Sequence, residues 1–84
     1  MQKLQFRELL AALNRERRRR SLPSRPECRL LRLRAGLTQA DIAVSIGITA
    51  AAVSRYESGK RRPRPKILDR YLAAIQVLSD AKTT

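Results

Sequence analysis

Thr38-Gln-Ala-Asp-Ile-Ala-Val-Ser-Ile-Gly47-Ile-Thr49-Ala-Ala-Ala-Val-Ser-Arg-Tyr-Glu-Ser-Gly59 decides the fold. Thr38 followed three residues on by Asp41 is a capping-box pattern, with Asp standing for the better Glu, so a helix starts here. Ile42, Ala43 and Ile46 fall on its inward face, and Gly47 ends it by supplying the positive φ that Cβ-bearing residues resist. Thr49 caps a second helix through about Ser58, with Val53 and Tyr56 inward and Gly59 as its stop. Two short helices this close meet at a sharp angle, which requires a small residue at the crossing. Ala43 meets that demand, and Ile42, Ile46, Ile48, Val53 and Tyr56 are expected to fill the wedge.

Working outward, Pro26 suits the first turn of a preceding helix that is capped near Ser24 or Arg25, runs to about Ala35 and stops at Gly36. This helix carries two apolar stripes, Cys28/Leu31/Ala35 and Leu30/Leu33, and so needs cover on two sides. One stripe is expected to face the core and the other to receive a further helix, Leu4 to about Arg19, whose Phe6, Leu9, Leu10 and Leu13 share one face. Ser21 to Pro26, with two prolines, reads as a linker. Beyond Gly59, Lys60 to Pro65 is a basic loop. A last helix, about Lys66 to Ser79, is expected to bury Leu68, Leu72, Ile75 and Leu78, with Tyr71 flanking. No strand-like alternation or repeat is visible. The expected fold is all-α, about five helices with an extra N-terminal one, divided into a basic helix and linker start over 1–22 and the main domain over 23–84.

Composition narrows the chemistry. The 84 residues have a formal charge of +12, with no His, no Trp and one Cys. That leaves no His-based acid–base pair, no disulfide framework and too few cysteines for the usual zinc site, so neither an enzyme nor a metal or cofactor site is expected. Cys28 reads as a small buried hydrophobe rather than a thiol sensor. Charges at Lys3, Arg7 and Glu8 leave no apolar signal-peptide region. The weakly polar run from Ile42 to Val53 is far short of the roughly 20 residues of a membrane span. A cytoplasmic, nucleoid-associated protein is expected. The charge predicts a polyanionic partner, and its placement is informative: eleven Lys or Arg in 1–36, seven in 59–84, and Arg55 alone in 37–58.

Leu31-Arg-Leu-Arg-Ala-Gly-Leu-Thr-Gln-Ala-Asp-Ile-Ala43 and Val53-Ser-Arg-Tyr-Glu-Ser-Gly-Lys-Arg-Arg-Pro63 resemble the lambda-repressor-like family, the Cro/C1 or XRE type of helix-turn-helix regulator, over about Cys28 to Leu78. The resemblance implies double-stranded DNA as partner and a recognition helix in the major groove, its outward Thr49, Ala50, Ala51, Ser54 and Arg55 facing base edges. Ala50 and Ala51 depart from the glutamines of some relatives. They can touch thymine methyls but cannot hydrogen-bond, which leaves Arg55 as the candidate guanine reader, or else a phosphate contact. Gln39, Ser58, Lys60, Arg61, Arg62, Arg64 and Lys66 match phosphate-contacting positions. Arg32 and Glu57 match a buried ion pair between helices, a structural role. Arg17, Arg18, Arg19 and Arg20, outside the matched stretch, have three possible fates: a minor-groove arm, a phosphate track, or solvation.

Relatives often carry another helix after the last one here, and Ser79 to Thr84 is too short and polar for it. The N-terminal helix is expected to take its place on the core. A homodimer is expected, through that helix or through a Tyr71/Ile75/Leu78 surface. The functional expectation is sequence-specific transcriptional regulation by a repressor or Cro-like switch of a phage, plasmid or mobile element. Its alternatives are an excisionase-like architectural factor and an antitoxin-type regulator with a protein partner.

Overall fold

The computed structural model describes residues 5–82, so the expected start at Leu4 and the terminal Thr83 and Thr84 lie outside them. Among the described residues five helices follow one another: α1 (Phe6–Ser21), α2 (Arg25–Arg34), α3 (Gln39–Ile46), α4 (Ala50–Ser58) and α5 (Pro65–Lys82). There is no strand among the described residues.

Local chemistry sets the boundaries. The capping box at α3 is complete: the Asp41 N–H donates to Thr38 Oγ1 at 3.1 Å, and the Thr38 N–H donates to Asp41 Oδ2 at 2.8 Å. The Thr38 N–H, and after it the Thr38 hydroxyl, hold the Asp41 carboxyl below its ordinary value. Thr49 Oγ1 accepts from the Ala52 N–H at 3.1 Å to start α4. Gly47 and Gly59 close α3 and α4 at φ 73° and 80°. α2 starts at the Ser24 cap with Pro26 in its first turn. The helices overrun the expected linker and tail. α1 continues through Ser21, leaving only residues 22–24 between helices, and α5 runs on to Lys82.

The core lies where α2, α3, α4 and α5 converge. Cys28, Leu31, Ile42, Ala43, Ile46, Val53, Tyr56, Leu68, Ile75 and Leu78 are all buried, and Ile48 packs against them half-buried. Tyr71 departs from expectation. It is 4% exposed and belongs to the core, while Leu72 is half-buried. Its ring meets that of Tyr56 at 5.4 Å and 59°, a tilted aromatic pair that fastens α4 to α5. Burial pushes the Tyr71 phenol up, and its contact with Cys28 adds to that. Burial likewise raises the Cys28 thiol, and Sγ donates to the Pro23 carbonyl at 3.6 Å. Cys28 is therefore the buried small hydrophobe that the sequence suggests.

Four packing expectations are overturned. α1 does not cover Leu30 and Leu33, which remain 42% and 46% exposed, nor does it bury any residue of its own. The α1–α2 turn is pinned by Leu22 against the core and by the Cys28–Pro23 contact. That turn aims α1 along α5, where Arg18 Nε sits 2.6 Å from Asp69 Oδ1 as a charge contact without hydrogen-bond alignment. α1 therefore does not take the place on the core that was expected of it. Its departure from the core also fits a radius of gyration of 14.4 Å, against roughly 12 Å for a compact chain of this length. Tyr71, Ile75 and Leu78 are buried and offer no dimer surface, because α5 turns this stripe onto α2 and α3. Ala35, expected inside, is exposed because it falls at the α2 C-cap.

Candidate nucleic-acid interface

α4 has one face for the protein and one for solvent. Val53 is 0% exposed and Tyr56 9%, whereas Thr49, Ala50, Ala51, Ser54 and Arg55 are exposed. Positions 50, 51, 54 and 55 recur at helical spacing, so they form one outward strip at the N-terminal and middle turns. The two alanines keep that strip low, and Arg55 rises from it. Its guanidinium has no hydrogen bond or ion pair among the described residues, so all five N–H donors remain available for a bidentate acceptor.

The strip is held by a polar network from three helices. Arg32 Nε and Nη2 donate to Glu57 Oε2 and Oε1 at 2.7 and 2.9 Å, and Arg32 Nη1 donates to the Leu37 carbonyl at 3.0 Å. The two side chains are 8% and 5% exposed. Gln39 Nε2 adds a bond to Glu57 Oε1 at 3.1 Å. Burial alone would raise the Glu57 carboxyl. The Arg32 and Gln39 hydrogen bonds and the Arg32 charge outweigh it and hold the group below its ordinary value. The hydrogen bonds to Glu57, and its charge, push the Arg32 guanidinium up. A fully hydrogen-bonded pair of this kind fixes the angle between α2 and α4. Arg32 and Glu57, the two residues for which the resemblance implies an ion pair, are thus within hydrogen-bond distance of each other.

Gln39 thus does two things. Its amide braces Glu57 with one N–H and keeps the other. The backbone N–H groups of Gln39 and Ala40, at the first two helical positions, have no intrahelical acceptor and form a small anion-attracting end. Ser58 is exposed, with its hydroxyl donating to the Arg55 carbonyl at 3.2 Å. The Arg61 N–H donates to the same carbonyl at 3.3 Å, folding the loop back over the end of α4. Lys60, Arg61, Arg62, Arg64 and Lys66 are all exposed and make no ion pair among the described residues.

Arg17 to Arg20 lie within the last turns of helical α1 rather than in an extended segment. Arg18 is occupied by Asp69, and Arg19 makes a loose 3.6 Å contact with Glu16. Arg19 also lines a concavity with Arg25, Arg61 and Arg62. Two positioning residues have no signal in the sequence. Arg70 donates to the Ile46 carbonyl at 3.4 Å and so caps α3 from α5. Arg25 lies against Gly59, where a Cβ would collide with its guanidinium. Each contact spans more than twenty residues, beyond the reach of local pattern.

No group of His, Cys, Asp or Glu able to hold a metal occurs among the described residues, and no described helix is long and apolar enough to cross a membrane. No curated protein and no solved structure matches the chain. A family model does, the helix-turn-helix model, over residues 29–80, which is 52 of 84 residues and spans α3, α4, the basic loop and most of α2 and α5. The chain belongs to the Cro/C1-type, XRE-like helix-turn-helix family of DNA-binding transcription regulators.

Proposed function

We propose that the chain reads a specific operator as a homodimer and represses transcription from it, in the manner of a Cro-like switch of a phage, plasmid or mobile element. Arg55 carries this reading. It is an unpartnered guanidinium on an otherwise low, exposed face of a helix that a buried ion pair and an aromatic pair hold rigid. In this role α4 lies in the major groove, Arg55 takes a guanine, and Thr49, Ala50, Ala51 and Ser54 line the groove against methyl groups and neighbouring base edges. Gln39, Ser58 and the cations at 60, 61, 62, 64 and 66 hold phosphates. One base-reading arginine per subunit is little, so two half-sites are needed for specificity. The exposed Phe6, Leu9, Leu10 and Leu13 of α1 are the face we assign to pairing. On this view residues 1–22 serve assembly and 23–84 serve DNA.

The same apolar face favours a second reading, in which α1 holds a different protein, as in an antitoxin-type regulator. Selection of bound duplexes from a randomised pool, with a salt titration, tests the first. A pseudo-palindrome with half-sites about 10 bp apart is expected, together with a salt slope near 0.9 per phosphate held. Selection that yields no consensus, with uniform weak binding, would refute operator reading and leave an architectural role.

A further inference from the structure

A concavity of about 290 Å³ lies between the α1–α2 turn and the loop that follows α4. Arg19, Arg25, Arg61 and Arg62 line it, and no carboxylate does. Arg25, Arg61 and Arg62 make no ion pair among the described residues, and Arg19 has only its exposed contact with Glu16. Its apolar lining includes Leu22, Pro23, Cys28 and Leu68, with the rings of Tyr56 and Tyr71 beside them. The volume is at the lower end of small-molecule sites, and the combination of an apolar body with a few convergent polar groups is their usual make-up.

These features select a ligand class. A neutral apolar molecule covers the apolar lining and leaves four cations unsatisfied. A bare phosphate, or a phosphate of a duplex, meets the cations but leaves the apolar lining uncovered. A small organic anion with an apolar tail satisfies both, because guanidinium forks match a carboxylate in two parallel hydrogen bonds. We propose that this concavity binds an amphipathic carboxylate, and that its occupant competes with DNA for Arg61 and Arg62. The competition rests on the proposed placing of those two residues on phosphates, whereas the binding does not. It would give the helix-turn-helix domain an effector site of its own, with reciprocal coupling between ligand and DNA.

Octanoate is the probe, titrated into the full chain without DNA. The chain has two tyrosines and no tryptophan, and both Tyr56 and Tyr71 line the concavity, so intrinsic tyrosine fluorescence reports the site. A saturable change with Kd on the order of 1 mM is expected for a ligand of this size. It should weaken at least about tenfold, or 1.4 kcal/mol, in both Arg25→Gln and Arg19→Gln. Arg19 contributes nothing to the core, so its variant remains informative if Arg25→Gln fails to fold. No saturable change, an equal response to 1-octanol or to inorganic phosphate, or binding indifferent to Arg19→Gln would each overturn the site. With DNA present, octanoate at ten times its Kd should weaken duplex binding about tenfold relative to acetate at equal ionic strength. Octanoate that binds without that effect overturns the competition. Failure of the chain to bind any duplex refutes the proposed function and leaves the octanoate result standing.

Discussion

Arg32→Met removes one charge from the pair that joins α2 to α4 and keeps most of the side-chain stem. Both partners are more than nine-tenths buried, and their two hydrogen bonds are 2.7 and 2.9 Å long. The variant leaves Glu57 buried with Gln39 as its remaining partner, and the Leu37 carbonyl loses its donor. Stranding a buried charge costs about 3–5 kcal/mol. A domain of this length has a total stability of roughly 4–13 kcal/mol, so the loss is a large share of it. At roughly 4–8 °C per kcal/mol, Tm should fall by about 12–40 °C. Replacing both partners, Arg32→Met with Glu57→Leu, should recover at least about 2 kcal/mol, because no charge is then left unpaired. Urea unfolding followed by circular dichroism and tyrosine fluorescence gives both quantities. pH supplies an independent check. In the native chain Glu57 is depressed, so its contribution is intact above the unfolded value near 4.3 and is lost as pH falls through the folded value. In Arg32→Met the unpaired carboxyl is expected to titrate higher, so the deficit should be largest at neutral pH and shrink towards pH 5. A loss under 1 kcal/mol, or single and double variants that add within 0.5 kcal/mol, would refute the reasoning.

Thr38→Ala removes one half of the α3 capping box and should cost about 1 kcal/mol in urea unfolding; an unchanged midpoint would contradict that role. Gly59→Ala sets a Cβ at φ 80° and should cost roughly 1–2 kcal/mol for the left-handed conformation, because the exposed Arg25 guanidinium that it meets can swing aside. Adding Arg25→Ala should therefore return little, so full recovery would show that the backbone is not strained. Arg55→Ala should cost ~1–3 kcal/mol of operator affinity and relax preference at one base pair. Lys60→Ala should instead weaken all sequences alike and lower the salt slope by about 0.9. Identical effects of the two in a binding titration would remove the distinction between base and phosphate roles.

Much of this protein is written locally. The caps at Ser24, Thr38 and Thr49 and the stops at Gly36, Gly47 and Gly59 act within four residues, so the starts and ends of α2, α3 and α4 follow from short-range hydrogen bonding. The periodicity of Ile42, Ala43, Ile46, Val53 and Tyr56 likewise fixes which face of α3 and α4 turns inward, and therefore which face of α4 remains outside. Tertiary structure alone decided where α1 goes. An amphipathic stripe states that cover is needed but not what supplies it, and the three-residue turn held by Leu22 and Pro23 aimed α1 at α5, away from Leu30 and Leu33. The choice of Tyr71 over Leu72 for the core was also tertiary, because it depends on the Tyr56 ring across the helix pair. The gathering of Arg19, Arg25, Arg61 and Arg62 around one concavity is of the same kind: four charges that a linear reading assigns to separate segments become one site only when the chain closes on itself.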